Sequence, residues 1–154
     1  DPNETGDLPD PVKHVGWYYH LPDSGERVVG DVIARDGNLI VTTYTPGGSM
    51  CATGGYTWVM AMDACSGGRL AEATFDVKGD GVIDDQDLVD IDPSNNILAP
   101  PTGIQYTGRL QPPAILILDK NRETLYMSSS IGTIETLGKK AARLGMIYWN
   151  IFSQ

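Results

Sequence analysis

Four aspartates fall at the first, fifth, ninth and twelfth positions of one short stretch: Asp76, Asp80, Asp84 and Asp87, within DVKGDGVIDDQDLV at residues 76–89. Gly81 holds the sixth position and Val82 the seventh. Carboxylates in that register repel one another unless something gathers them. A hard divalent cation does so, because calcium takes about 6–8 oxygen ligands at roughly 2.3–2.6 Å. Glycine at position six permits the sharp turn that such a loop needs. Position seven contributes a backbone carbonyl. The expected calcium ligands are therefore Asp76, Asp80, Val82, Asp84 and Asp87, and the expected cofactor is Ca²⁺. Ile83, at position eight, is the apolar residue that would anchor the loop to the protein body.

Two positions depart from the EF-hand pattern. Lys78 stands third, where Asp or Asn is usual, and an ammonium group has no lone pair to give. Asp87 replaces the bidentate glutamate with a side chain one methylene shorter. Both changes point to a weak site, near the ~10⁻⁴–10⁻³ M of extracellular modules. The plainer alternative is an acidic surface turn that binds nothing.

The rest of the composition narrows the setting. With 11 basic and 20 acidic residues the formal charge is -9, which argues against nucleic acid and anionic membranes as partners. No apolar run approaches the ~18 residues needed to span a bilayer. Residues 1–14 are polar and proline-rich, and read as a linker or the cut edge of a longer precursor. Cys51 and Cys65 flank a predicted strand at 56–64. A disulfide between them closes a ~15-residue loop and would contribute about 3 kcal/mol. The alternative is a pair of free thiols. A disulfide and a millimolar calcium site both suit an extracytoplasmic compartment.

Strand signals dominate the chain, and the expected fold class is all-β. Strands are predicted at 16–21 (GWYYHL), 28–34, 39–44, 56–64 and 69–75. The second and third are joined by a turn containing Asp36-Gly37, a favoured hairpin dipeptide. A helical turn is expected at 85–89, then an irregular crossing segment at 92–113. Strands resume at 114–118, 124–128 and 132–137, followed by a loop or short helix at 138–145 and an apolar strand at 146–152. The order strand, tight turn, strand, loop, strand occurs twice, from 32 to 70 and from 114 to 137. Such repetition suggests antiparallel meanders forming part of a β-propeller. VMAMDACSGGRL at 59–70 is similar to the blade motif of quinoproteins.

Taken in order, GWYYHLPDSGERVVGDVIARDGNLIVTT, GGYTWVMAMDACSGGRL and FDVKGDGVIDDQDLV resemble the C-terminal propeller domain of the PilY family, surface proteins of type IV pili. The resemblance spans about residues 15–152. It implies a modified propeller with an EF-hand-like calcium loop at 76–87. It also implies a role in pilus biogenesis, in control of extension and retraction, and in adhesion at the cell surface. Minor pilins or pilus-tip proteins are the implied partners. The chain supplies about two blades where a propeller usually needs ~4–8. Its open edges would then be covered by the rest of a precursor or by another copy.

Other candidate groups have plainer readings. His14 and His20 would lie roughly 20 Å apart on one strand, too far to share a metal. Ser24 and Ser66 sit in turns without a nucleophile elbow, and no enzyme activity is expected. Trp17, Trp58 and Trp149 read as packing residues, and Lys139, Lys140 and Arg143 as a solvated basic loop. Two other identities fit the acidic loop: a dockerin-like module, which carries paired loops on helices, and a fragment of a quinoprotein dehydrogenase.

Overall fold

The structure is a computed structural model, and it describes residues 16–35, 37–47, 54–119 and 121–141. The longest strands are β3 (Asn38–Pro46) and β4 (Gly55–Asp63), built from β-branched, aromatic and methionine residues that fit a pleated surface buried on both faces. They pair antiparallel over their whole length, from Asn38↔Asp63 to Pro46↔Gly55. The expected hairpin is present: β2 (Ile33–Arg35) closes on β3 through the Arg35↔Asn38 pair, and Gly37 takes φ +78°. The single strand expected at 28–34 is split. Its first part is β1 (Arg27–Val28), which pairs with Thr43 and Tyr44 further along β3. The break lies at Gly30, whose φ of +97° leaves the extended region and whose missing Cβ makes room for the Pro112 ring.

Two strands lie inside the segment expected to be irregular. β6 (Ile97–Ala99) pairs with β5 (Val89–Asp92), and β7 (Gly103–Thr107) adds to the edge of β4, completing a five-stranded sheet. The proline pairs at 100–101 and 112–113 masked these strands, because proline marks the ends of an edge strand as readily as a loop. A second, three-stranded sheet follows, with β9 (Arg122–Ser128) between β8 (Ala114–Ile117) and β10 (Ile134–Lys140). β10 runs through 138–140, where a loop or helix was expected. β2-β3-β4 and β8-β9-β10 are thus two antiparallel meanders of like connectivity. The strand expected at 146–152 lies outside the described residues.

The two sheets share a core. Ile40, Val59 and Ala61 from the first meet Leu125, Met127 and Leu137 from the second, with Phe75 and Leu110 between them. Thr57 stitches the crossing: its hydroxyl donates to the Gly108 carbonyl at 2.8 Å and accepts from the Leu110 amide at 3.0 Å. The opposite face of β3 and β4 carries Val41, Met60 and Met62, covered by Trp17, Leu21, Leu39 and Trp58.

That cover corrects the strand expected at 16–21. The segment pairs with no strand; Trp17 lies over Gly67, its indole N–H donates to the Ala64 carbonyl at 3.0 Å, and Tyr18 is 73% exposed. An aromatic run scores as strand because β-propensity measures fit to a half-buried surface, and here it lids a sheet instead. The strand expected at 69–75 is likewise absent. Its one ladder pairing among the described residues is the isolated Phe75↔Lys139 bridge.

Candidate functional site

The acidic loop is fixed to the second sheet where that segment ends. Phe75, fully buried, points into the shared core, and the next residue points the other way. The Asp76 amide donates to the Gly138 carbonyl at 2.9 Å, and the Lys140 amide donates to the Thr74 carbonyl at 2.8 Å. A Cβ at residue 138 would come within 2.8 Å of the Asp76 Cβ, so glycine is what lets the loop sit on β10.

Within the loop the carboxylates turn back on the backbone. Asp76 Oδ1 accepts from the Gly79 amide at 2.6 Å and from Asp80 at 3.2 Å, while Oδ2 accepts from Gly81 at 2.8 Å. Asp80 accepts from the Val82 amide at 2.8 Å. Asp87, 1% exposed, takes the Val77 amide at 2.7 Å and Lys78 at 3.2 Å on Oδ1, and the Asp84 amide at 3.1 Å on Oδ2. Asp84 caps the helical turn expected here, a 3₁₀ turn at Asp85–Asp87, by accepting from the Gln86 amide at 2.8 Å. Gly79 and Gly81 take φ of +73° and +82°, the conformation that favours glycine.

The five expected ligands therefore belong to one closed turn. Among the described residues, however, no three His, Cys, Asp or Glu side chains converge in an arrangement that would hold a metal ion. Their chemistry still suits a hard cation. All donors are oxygens, and an ionised carboxylate that accepts an N–H keeps lone pairs for a further partner. Lys78 does not obstruct them, since its ammonium donates to Gln86 Oε1 at 2.6 Å.

Sequence reasoning missed Arg122. This side chain, 41 positions away, donates from Nη1 to the Gly81 carbonyl at 2.8 Å and from Nε to Asp119 Oδ2 at 3.1 Å. The backbone N–H of Asn121, then the Arg122 guanidinium, hold the Asp119 carboxyl below the usual carboxylate range. No local pattern marks an arginine in a turn as a partner for a distant carbonyl.

No protein-family model matches the sequence. Curated relatives do. The chain is 32% identical over 77 residues to the type IV pilus biogenesis factor PilY1 of Pseudomonas aeruginosa strain PAO1, a match covering 47% of this chain and 7% of that protein. It is 40% identical over 62 residues to a PilY1 homolog of Xylella fastidiosa, covering 36% of this chain and 4% of that protein. The crystal structure of the P. aeruginosa PilY1 C-terminal domain superposes with a TM-score of 0.54 at 22% identity, over 75% of this chain and 20% of that one. The chain is similar in sequence to PilY1 and in fold to the PilY1 C-terminal domain.

The remaining residues of this PilY1-like chain fall as follows. Cys65 is exposed with a free thiol, and Cys51, its expected partner, lies outside the described residues. His20 stacks edge-on against Tyr18 at 5.1 Å, and His14 lies outside the described residues. Ser66 does turn work, its hydroxyl donating to Asp63 Oδ1 at 2.7 Å, which together with the Ser66 amide lowers the Asp63 carboxyl. Trp17 and Trp58 pack as expected; Trp149 and Arg143 lie outside the described residues. The basic cluster needs correcting. Lys139 is 1% exposed rather than solvated, 3.5 Å from Glu123, while Lys140 pairs with Glu72 at the surface. Lys139 lies on the inward face of β10 together with Leu137, and a basic-rich sequence hides that parity. The dockerin alternative loses its premise, because the only helical element among the described residues is the 3₁₀ turn. Among the described residues no helix is long and apolar enough to cross a membrane.

Proposed function

We propose that this chain is a non-enzymatic, calcium-binding module of a type IV pilus-associated surface protein, acting in pilus biogenesis and in the control of pilus extension, retraction and adhesion. The observation that carries the reading is the pairing of PilY1 relatedness with an acidic loop whose carboxylate register and glycine turns suit calcium. The chain spans about 7% of the P. aeruginosa relative's length, so the activity of a whole protein of that kind is inferred, as is its place at the cell surface. Minor pilins or pilus-tip proteins are the proposed partners, with the rest of a precursor or another copy covering the open sheet edges. In this reading the two meanders are blades of a modified propeller.

Calcium, when bound, neutralises the charge that four aspartates concentrate in a short turn. The chain's own contribution is Asp76, Asp80, Asp84 and Asp87 as carboxylate donors and Val82 as a carbonyl donor. Asp80 and Asp84 are exposed and free to close on the cation, while Asp76 and Asp87 already fix the turn's backbone.

Thermal melting in chelator and in calcium tests the reading. At about 2 mM calcium and a Kd near 10⁻⁴–10⁻³ M, linkage gives roughly 0.6–2 kcal/mol of added stability. That corresponds to a Tm rise of about 1–8 °C, which Asp80→Ala should abolish. A Tm identical in chelator and in saturating calcium would defeat the calcium half of the proposal.

A further inference from the structure

The acidic loop stands over a gap. A cavity of about 240 Å³ is lined by Asp76, Gly79, Gly81 and Ile83 of the loop and by Gly138 and Arg122 at the second sheet. A larger one, about 610 Å³, is lined by Val82, Ile83, Asp119, Asn121 and Arg122. The loop is moored at its start by the Asp76–Gly138 backbone bond. Beyond that point and the amides that Asp76 itself holds, the hydrogen bond from Arg122 to the Gly81 carbonyl ties the loop to the second sheet.

Its target matters. The Gly81 carbonyl and the Val82 amide belong to the same peptide unit. Arg122 holds the carbonyl end at 2.8 Å, and Asp80 holds the amide end at 2.8 Å. Because peptide units are planar, fixing both ends fixes the plane, and with it the direction in which the chain enters Val82. The same guanidinium is gripped by Asp119, in the turn between β8 and β9. That turn leads directly to the exposed side chains of Leu116, Ile117 and Leu118 on the β8 edge.

We infer that Arg122 is a positioning residue, a latch that fixes the Gly81–Val82 peptide and couples the state of the acidic loop to the β8–β9 turn. The first part stands on geometry alone. The second, a relay of calcium occupancy to the exposed β8 edge, rests on the calcium reading above.

Amide hydrogen exchange on the wild-type, Arg122→Ala and Arg122→Lys chains tests both parts. In chelator, Arg122→Ala should speed exchange at 79–83 by about 3- to 10-fold, the value of one lost hydrogen bond, and leave β4 unchanged. Arg122→Lys, which keeps the charge but not the planar fork, should fall between. Unchanged exchange at 79–83, or equal acceleration in β4, overturns the latch. With calcium added, protection should spread in the wild type to 119–121, and in Arg122→Ala it should stop within the loop. Equal spread in both chains overturns the relay. Calcium that changes exchange nowhere in the wild type sinks the calcium reading and the relay with it, while the chelator arm still decides the latch.

Discussion

Gly138 shows how much of the site depends on a single absent side chain. It lies in the middle of β10, where glycine weakens a strand by offering nothing to pack. Its use is clearance: the Asp76 Cβ occupies the space that an alanine methyl at residue 138 would need, at 2.8 Å. Backbone lies behind both atoms, so neither can step aside as a flexible side chain would. Gly138→Ala should therefore cost about 1–3 kcal/mol in urea denaturation, the usual range for overpacking. Gly16→Ala, with nothing within 4 Å of the new methyl, should stay within about 0.5 kcal/mol of wild type. The acidic register was fully legible as a list of residues, since spacing along the chain is local information. Gly138 was not, because a lone glycine in a strand does not name the residue it makes room for.

Among the elements, the decisive one is the stretch that failed to be a strand. Residues 69–75 pair with β10 only through the isolated bridge at Phe75, and that residue is fully buried among Leu110, Leu125, Met127 and Leu137. Phe75 is a peg: it seats the chain in the core, and extended geometry then turns Asp76 to the opposite side, onto Gly138. Phe75→Ala should cost about 3–5 kcal/mol, as large-to-small changes at fully packed aromatics do. It should also weaken the calcium-dependent rise in Tm proposed above, because Asp76, the first of the proposed ligands, loses its mooring. Differential scanning in chelator and in calcium measures both effects. Hairpins were the elements most readable from sequence. Asp36-Gly37 and the β-branched runs around it act over a few residues, and the β2-β3-β4 meander follows from them. β7 was hidden because an edge strand needs only one partner and tolerates flanking prolines; what made GIQYT a strand was the free edge of β4.

For the molecule as a whole, the two sheets are joined by charge as well as by apolar packing. Glu123, 2% exposed on β9, lies 3.5 Å from Lys139 on β10, and Arg35 reaches it from β2 of the first sheet at 2.6 Å. One oxygen, Glu123 Oε2, is buried without a hydrogen bond, so the Lys139 charge beside it is what offsets its burial. Lys139→Met should cost about 1–3 kcal/mol in urea denaturation by leaving Glu123 Oε2 without its partner while Arg35 still holds Oε1, and Lys139→Met with Glu123→Met should recover most of the loss. A double variant as unstable as the single one would show that the lysine acts through packing alone. The sequence by itself determined the all-β class, the main hairpins, the doubled meander and the acidic register, because each is written in periodicity, turn chemistry or spacing within a few residues. Only the tertiary structure decided which apolar runs became strands and which became lids, that Lys139 is buried, and that Arg122 reaches Gly81. Those outcomes depend on which faces meet across the core, and pairings between residues 40 to 100 positions apart leave no local trace in the chain.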